Sequence, residues 1–350
     1  MTSTTDIRVT PITSRFGERP KYQVLHELLP LDTPLSIQVD PSNVCNFQCV
    51  FCPTGDTELL QKAGRPKGMM EFDLFKKIID DIKGFPRPLR KLFLHKDGEP
   101  LANKRLPEFI AYAKSRNVAD LISMTSNVSL LNKERATAIV DAGLDELTAS
   151  VYAVDAQEYK ALTKSFSNYA RIVDNIANLH AEKVRRGSHL HIHCKIINTS
   201  LSPEQREKFI QDFSPIADSM NIHSIMGWSN TYERDMTLGL TPTTGMGGDA
   251  ALKQDRRVCP SPFKTLAINF NGDISMCCVD WSHGTSVGNA ATDNVVAVWN
   301  GTRLRHSRLL HLQGRRDEIE ACRGCHYVKG VSMVDDLDEQ SDRLISAFAR

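Results

Sequence analysis

The stretch Cys45-Asn46-Phe47-Gln48-Cys49-Val50-Phe51-Cys52 decides the fold, because it places three thiols directly after a strand-like run. That run, Leu35-Ser36-Ile37-Gln38-Val39, alternates apolar and polar residues and predicts a β-strand. Three close thiolates can hold an iron–sulfur cluster but leave it one ligand short of the usual four. An iron with an open position can bind another molecule, so the stretch favours a catalytic site over a scaffold.

Strand-like and helical patterns alternate along the chain that follows. Further strands are predicted at 91–95, 121–124, 147–151, 190–197 and 222–226. Helices are predicted at 72–82, 106–113, 133–142, a long stretch ending at 184, and 203–213. This alternation predicts βα units and a parallel sheet. The fold class is therefore α/β, a partial (β/α)6 TIM-like barrel, and the cysteine loop takes the position after strand one where such barrels carry their chemistry.

The pattern changes after a glycine-rich segment, residues 231–256, which we interpret as a linker or mobile loop. Two short strand-like runs flank Asn271-Gly272 and predict a β-hairpin. Short helical patterns follow, so the second domain is predicted to be small and α+β. The predicted division is an N-terminal extension (1–34), the barrel (35–240), the second domain (255–334) and a C-terminal helix (335–350).

Composition restricts the class of protein. The 350 residues carry a formal net charge of +1, which gives no support for a nucleic-acid or membrane partner. No apolar run is long enough to span a bilayer, and the N-terminus has no secretory pattern, so a cytoplasmic protein is predicted. An odd number of cysteines, nine, in such a chain favours metal or redox chemistry over disulfides.

A second group of cysteines lies in the last hundred residues. Cys322 and Cys325 form a Cys-x2-Cys pair, and Cys259 and Cys277 supply two distant partners. This arrangement predicts a four-thiolate metal site, and its spacing suits structural zinc as well as an iron–sulfur cluster. Cys277 and Cys278 compete for one ligand position, and strand alternation would send them to opposite faces.

The first cysteine stretch, with Phe51 before the third thiol, resembles the signature of the radical S-adenosylmethionine (SAM) enzymes. The resemblance implies that Cys45, Cys49 and Cys52 hold a [4Fe–4S] cluster whose fourth iron binds SAM. It also implies reductive cleavage of SAM to a 5′-deoxyadenosyl radical, which abstracts hydrogen from a substrate. The protein would then bind, orient and shield the reacting groups.

The same resemblance extends to three later segments. Lys96-Asp97-Gly98-Glu99-Pro100 is similar to the family's Gly-Gly-Glu motif, which implies that Gly98 and Glu99 hold the SAM amino group; Asp97 departs from the first glycine. Asn127 follows the third predicted strand, and Ser150 lies near the end of the fourth. The resemblance implies that both are further SAM contacts. From the residues alone, Asp97 and Glu99 could equally form a general acid/base pair or a helix N-cap.

The C-terminal segment resembles the shortened SPASM, or twitch, domain in its hairpin, in Gly288-Asn289 and in Val298-Trp299. The resemblance implies one auxiliary [4Fe–4S] cluster held by Cys259, Cys277, Cys322 and Cys325. Four protein thiolates would leave no open iron, so this cluster would relay electrons. Cys278 would then be left over.

Among radical SAM enzymes with one auxiliary cluster, the spacing resembles the 2-deoxy-scyllo-inosamine dehydrogenase type, which implies oxidation of a carbohydrate or aminocyclitol alcohol. A flavodoxin- or ferredoxin-type donor would supply electrons, and Trp228, Asn230 and Arg234 are candidate substrate contacts. The alternatives are a radical epimerase with Cys194 or Cys278 as hydrogen donor, a peptide maturase, and a non-catalytic zinc protein.

Overall fold

The structure is a computed structural model, and it describes residues 24–232, 234–248 and 251–349. Of the predicted N-terminal extension, residues 1–23 lie outside the described part. The remainder contains a one-turn helix, and Trp299 donates a hydrogen bond of 3.0 Å from Nε1 to the carbonyl of Leu31. This last part of the extension is thus fixed to the C-terminal half of the chain.

A single nine-stranded sheet organises the molecule. Its spatial order is β6-β5-β4-β3-β2-β1-β7-β8-β9, and β1 to β6 run parallel. The six parallel strands confirm the predicted partial barrel, because each neighbour in space is the next strand in the chain. The strands are β1 Ser36–Val39, β2 Leu89–Phe93, β3 Ala119–Ser126, β4 Glu146–Val151, β5 His191–Asn198, β6 Ser219–Ser224, β7 Thr265–Ile268, β8 Asp273–Ser275 and β9 Ser286–Asn289.

Helices follow the parallel strands and bury one face against the sheet. In the helix at 72–82, Phe75, Ile78, Ile79 and Ile82 recur at helical spacing and are all buried. The helices are α1 Leu25–Leu28, α2 Thr57–Lys62, α3 Phe72–Ile82, α4 Leu106–Arg116, α5 Lys133–Asp141, α6 Ala156–Thr163, α7 Tyr169–Arg186, α8 Pro203–Phe213, α9 Ser261–Lys264, α10 Val295–Trp299, α11 Thr302–Leu312 and α12 Ser341–Phe348.

Strand alternation separates an apolar outer face of the sheet from a polar inner face. On β5, Ile192, Cys194 and Ile196 belong to the hydrophobic core. His193 lies on the opposite face, where its ring nitrogens bond to Ser219 and Asn221 of β6. The inner face of the barrel is therefore lined by hydrogen-bonding groups.

Three expectations about elements are wrong in detail. The long helical stretch is two helices, because Lys164 takes a left-handed conformation (φ 50°) and ends α6. The sixth strand begins at Ser219, three residues before the predicted start. The C-terminal helix begins only at Ser341, since residues 338–340 form a separate 3₁₀ turn.

The predicted hairpin forms and joins the barrel sheet. Gly272 has φ 90°, a conformation that glycine adopts without strain, and β7 pairs antiparallel with β8 across this turn. β7 also pairs in parallel with β1, in the register Ser36 to Thr265 and Val39 to Ile268. The two cysteine-bearing segments are therefore carried by neighbouring strands. In the part of the chain that the structure describes, no helix is long and apolar enough to cross a bilayer.

Candidate functional site

The first cysteine loop follows β1 and is closed by local hydrogen bonds. The amide of Cys52 donates to the carbonyl of Cys49 at 3.1 Å, and the amide of Gly55 donates to Cys52 at 2.9 Å. A Cβ atom at Gly55 would meet the carbonyl oxygen of Cys49, so only glycine lets the chain approach the loop this closely. The three thiols are thus held on one compact loop at the carboxyl end of a strand, as predicted.

Burial makes these thiols poor free thiolates. It raises the pKa of Cys45 to about 12, with the nearby Glu99 carboxylate adding to the effect. Burial also raises the pKa of Cys49 and Cys52, and the charge of each neighbouring thiolate raises that of Cys49 further. Iron supplies the positive charge that stabilises three such thiolates together, so the donor set suits a cluster. Cys45 also borders an open pocket lined by Gln48, Thr54 and Arg65, which leaves room beside the loop.

Glu99 is the carboxylate that the family resemblance assigns to the SAM amino group. Three hydrogen-bond donors fix its orientation. Its Oε1 accepts from Ser126 Oγ (2.7 Å) and from the amide of Leu101 (3.0 Å), while Oε2 accepts from the amide of Asn127 (2.8 Å). Burial nevertheless raises its pKa to about 7. A buried carboxyl in fixed orientation, with no cation bonded to it in the described chain, is suited to hold an ammonium group such as the SAM amine.

Gly98 lies where no larger residue fits. A Cβ atom there would overlap the carbonyl oxygen of Ser42 and the backbone of Asn43, which lead into the cysteine loop. The amide of Glu99 donates to the carbonyl of Val44 at 3.0 Å. The Gly-Glu segment is therefore packed directly on the entry to the cysteine loop, and the two predicted elements do lie together.

Asn127 also contacts the cysteine loop, but in a supporting arrangement. Its Nδ2 donates to Asn46 Oδ1 at 3.0 Å and lies 3.9 Å from Cys45 Sγ, while its Oδ1 accepts from the amide and hydroxyl of Ser129. These contacts orient the loop, so any SAM contact would be additional. Ser150 is buried near the end of β4 and pairs in register with Lys195, on the polar inner face.

The second group of thiols surrounds one small cavity. Cys259, Cys277, Cys322 and Cys325 all line it, together with Arg316, His311 and Tyr327. Arg316 donates to the carbonyl of Cys322 at 2.9 Å and its charge favours the thiolates. Among residues 24–232, 234–248 and 251–349, no three His, Cys, Asp or Glu side chains are arranged to hold a single metal ion. Four thiols around one site form the donor set of a four-thiolate metal centre.

The cavity lining also distinguishes Cys277 from Cys278. Cys277 lines the cavity, and Cys278 is absent from its wall. The expected reason, strand alternation, is wrong, because β8 ends at Ser275 and both cysteines lie in the turn that follows. The Cys278 side chain is hydrogen-bonded to that of Cys277, so the turn does not send the two thiols to opposite faces. Cys277 stays the proposed ligand because, of the two, it is the one that lines the cavity.

Buried charged side chains connect the two chain segments that carry the two sets of cysteines. Asp97 accepts at Oδ2 from Lys96 Nζ (2.5 Å), and Arg65 Nη1 lies 3.7 Å away. The Asp97 carbonyl accepts from Thr54 Oγ1 at 2.6 Å, two residues after Cys52. Lys96 Nζ also donates to the carbonyl of Asp280 at 2.8 Å, three residues after Cys277. The residue that departs from the family glycine thus links the segments that carry the two sites.

The side chains of this linkage carry opposite charges. Burial acts to raise the pKa of Asp97, but Lys96, His283 and Arg65 outweigh it and hold that pKa below its usual value. Burial acts to lower the pKa of Lys96, while Asp97, Asp280 and Asp40 raise it overall. Asp97 and Lys96 therefore form a buried ion pair.

The predicted substrate contacts are engaged with the protein. Trp228 donates from Nε1 to the carbonyl of Phe51 (3.0 Å), and Asn230 Oδ1 accepts from the amide of Tyr232. Arg234 pairs with Asp56 (3.1 Å) and Glu58 (2.6 Å) around the start of α2. Trp228 and Arg234 thereby stabilise the region around the first cysteine loop. Their role in substrate binding, and that of Asn230, stays a prediction.

Cys194, the other candidate hydrogen donor, is fully buried in the hydrophobic core on the outer face of β5. Sequence reasoning missed Asn46, Arg65 and His283. Asn46 lies inside the cysteine stretch and could have been found from its amide side chain. Arg65 and His283 lie far apart in the sequence, and no local pattern pairs either with Asp97.

Comparisons with known proteins agree with this architecture. The family model "Radical SAM superfamily" matches residues 39–212, and the SPASM model, "Iron-sulfur cluster-binding domain", matches residues 259–326. A probable GTP 3′,8-cyclase of Methanococcus maripaludis is 35% identical over 122 residues, which is 34% of this chain and 37% of that protein. The chain therefore matches only about a third of this curated relative's length.

Solved structures share the fold at low identity. BtrN in complex with AdoMet and 2-DOIA has a TM-score of 0.51 at 15% identity, covering 83% of this chain and 92% of that one. Native anSMEcpe with bound AdoMet has a TM-score of 0.57 at 12% identity, covering 90% and 97%.

The two domain matches together establish the class of enzyme and its cofactors, which are SAM and two [4Fe–4S] clusters. The thiol groups described above fit these cofactors in number and position. The chain belongs to the radical SAM superfamily and carries a SPASM-type iron–sulfur cluster-binding domain after its partial barrel.

Proposed function

We propose that this radical SAM enzyme oxidises a secondary alcohol of a small carbohydrate or aminocyclitol, in the cytoplasm and with electrons from a flavodoxin- or ferredoxin-type donor. The observation that carries the proposal is the polar inner face of the barrel. Several of its buried oxygen atoms have no hydrogen-bond partner within the described residues. Buried polar atoms are rarely left unpaired, so a polyhydroxylated ligand would supply what they lack.

One row of polar residues on this inner face crosses three neighbouring strands. Thr125 of β3 pairs with Thr148 of β4, which pairs with His193 of β5. Both threonine hydroxyls lack a partner within the described part of the chain. A hydroxyl group can donate or accept a hydrogen bond, so the two threonines suit the mixed donor and acceptor pattern of a sugar.

The other end of the inner face carries two further polar groups. Asp40 follows β1, and its amide donates to Ile268 at 2.9 Å, next to Asn269 at the end of β7. Both carboxylate oxygens of Asp40 and the Oδ1 of Asn269 are unpartnered among the described residues. These groups come from β1, β3, β4 and β7, and a small polar ring bound on this face would satisfy those it contacts.

The auxiliary site supports a redox outcome. A cluster with four protein ligands has no free iron to bind substrate, so its available role is to accept or pass on an electron. The ion pair of Lys96 and Asp97 connects the two cluster-bearing segments directly, which supports passage of an electron between the two sites.

The bound cofactors would supply one-electron cleavage of SAM and abstraction of a substrate hydrogen atom. The chain's own residues do the rest. Glu99 would hold the SAM amine, Asn127 orients the cysteine loop through Asn46, and Gly98 keeps these two elements in contact. The inner face would bind the polyol and fix which carbinol faces SAM.

Product analysis tests the proposal. Anaerobically reconstituted enzyme is incubated with SAM, dithionite and a panel of polyols: myo-inositol, 2-DOIA, glucosamine and glucose 6-phosphate. We expect at least one to give a ketone in a 1:1 ratio with 5′-deoxyadenosine. Stoichiometric 5′-deoxyadenosine without any ketone from any member would refute the alcohol oxidation.

A radical epimerase is the second candidate, and the thiol of Cys278, which bonds to Cys277 and Tyr327, favours it. Cys278 does not line the cluster cavity, so it is not needed as a ligand. An epimerase run in D2O would place deuterium on the substrate carbon from the exchanged thiol, and Cys278→Ala would abolish this incorporation. A dehydrogenase would leave the substrate carbon unlabelled in both proteins.

A further inference from the structure

His283 has an unusual backbone and a buried side chain. It lies in the turn between β8 and β9 with φ 61°, in the left-handed region that residues other than glycine rarely adopt. Its side chain is 5% exposed. Holding a histidine in this conformation costs on the order of 1 kcal/mol or more, and such strain is concentrated at functional positions.

The two ring nitrogens of His283 have different surroundings. Nε2 lies 3.3 Å from Oδ2 of Asp97, which the neighbouring cations keep ionised. An ionised carboxylate can only accept a hydrogen bond, so Nε2 carries the proton and Nδ1 has the free lone pair. Nδ1 is buried and has no partner among the residues that the structure describes.

This pair lies between the two cofactor sites. Asp97 is followed directly by Gly98 and Glu99, which hold the SAM amine in our proposal. The carbonyl of Asp97 bonds to Thr54 in the first cysteine loop, and His283 is on the turn that also carries Cys277. We expect a substrate that reacts with SAM and delivers an electron to the auxiliary cluster to bind in this same region.

We propose that Nδ1 of His283 accepts the hydroxyl proton of the substrate alcohol, with Asp97 as a positioning residue that fixes the tautomer. This inference rests on the alcohol oxidation proposed above. The carbinol carbon loses a hydrogen atom to the adenosyl group of cleaved SAM, and the hydroxyl loses its proton to Nδ1. The remaining electron passes to the auxiliary cluster, and the carbon–oxygen bond becomes double.

Asp40 is the competing proton acceptor in the same group of charges. It is 1% exposed, and both its oxygens are unpartnered within the described residues. Burial and the charge of Asp97 raise its pKa to about 7, against the opposing effect of Lys96 and Arg65. Asp40 is itself an acid beside a second carboxylate, whereas the contact of Asp97 with Nε2 leaves Nδ1 of His283 as the acceptor atom. The geometry therefore favours His283, and Asp40→Asn is the variant to compare with it.

The test uses full-length enzyme with both clusters and the polyol that the panel above identifies, deuterated at the carbinol carbon. His283→Gly suits the positive φ and leaves space for added imidazole. We expect about eight irons per chain, deuterium still transferred to 5′-deoxyadenosine, and ketone per 5′-deoxyadenosine reduced about 10²- to 10⁴-fold. Imidazole should restore ketone, which a purely structural role would not allow.

Two further variants extend the test. Asp97→Asn removes the charge that selects the tautomer and should also lower ketone per 5′-deoxyadenosine with the KM for the polyol little changed. His189→Gln, at an exposed position outside this group, is the matched control and should behave as wild type.

The outcomes separate the two proposals. Wild type without ketone would overturn the alcohol oxidation and, with it, the role of His283. If wild type forms ketone and His283→Gly forms as much ketone per 5′-deoxyadenosine, only the role of His283 and Asp97 would be overturned. A fall in ketone per 5′-deoxyadenosine in Asp40→Asn, with no such fall in His283→Gly, would assign the proton to Asp40 and also overturn the role of His283 and Asp97.

Discussion

Replacement of Glu99 by glutamine tests how the protein holds SAM. The carboxylate accepts three hydrogen bonds, from Ser126, Leu101 and Asn127. Glutamine can keep the two at Oε1, but its NH2 group would face the amide of Asn127, where two donors oppose each other. The variant also lacks the negative charge that binds the SAM amine.

The expected loss is that of one charge-assisted hydrogen bond. Such a bond contributes about 1.5–3 kcal/mol, so the Kd for SAM should rise roughly 10- to 150-fold. The fold should tolerate the change, because a neutral amide removes a buried carboxyl whose ionisation burial disfavours. Equilibrium dialysis of reconstituted protein gives the Kd, and Glu108→Gln, at an exposed surface pair with Arg105, is the control.

The pH dependence makes the same prediction sharper. The pKa of Glu99 in the ligand-free protein is about 7, above its usual 4.5, so the carboxyl is protonated below pH 7. SAM binding requires the ionised form and must release that proton. Wild-type affinity should therefore weaken by up to about tenfold per pH unit below 7, and the variant should lose this dependence. A variant Kd within twofold of wild type with an unchanged pH profile would refute the assignment.

Three further predictions concern the framework of the site. Cys277→Ala should lower the iron content from about eight to about four per chain, whereas Cys278→Ala should keep about eight; equal iron in both would contradict the ligand assignment. Gly98→Ala should cost about 1–3 kcal/mol of unfolding free energy in urea, because its methyl group meets backbone atoms, and an unchanged midpoint would be unexpected. Lys96→Met should cost about 3–5 kcal/mol, since it leaves the Asp97 charge buried with fewer partners, and thermal unfolding measures it.

The sequence predicts the barrel well because its elements are locally encoded. The helix at 72–82 and the helix at 203–213 have the predicted bounds, since apolar residues recur at helical spacing and Ser202 caps the second one. The cysteine loop is equally predictable, because its thiols are adjacent in the chain.

The unpredicted features depend on contacts between distant segments. The pairing of β7 with β1 joins the two cysteine-bearing segments in one sheet, and nothing within either segment encodes it. The partnership of Asp97 with Lys96 and His283 spans 186 residues at its longest, so the departure from the family glycine had no visible reason in the sequence. The end of α6 at Lys164 was missed because a left-handed lysine has no strong sequence signal.

The central claim is that three thiols leave one cluster open to SAM while four thiols close the other. Electron paramagnetic resonance of the reduced enzyme, with and without SAM, tests it most directly when Cys49→Ala and Cys322→Ala identify the two signals. We predict that SAM shifts the signal lost in Cys49→Ala and leaves the one lost in Cys322→Ala unchanged. A SAM-dependent shift of the signal lost in Cys322→Ala, or no shift of either, would contradict the account.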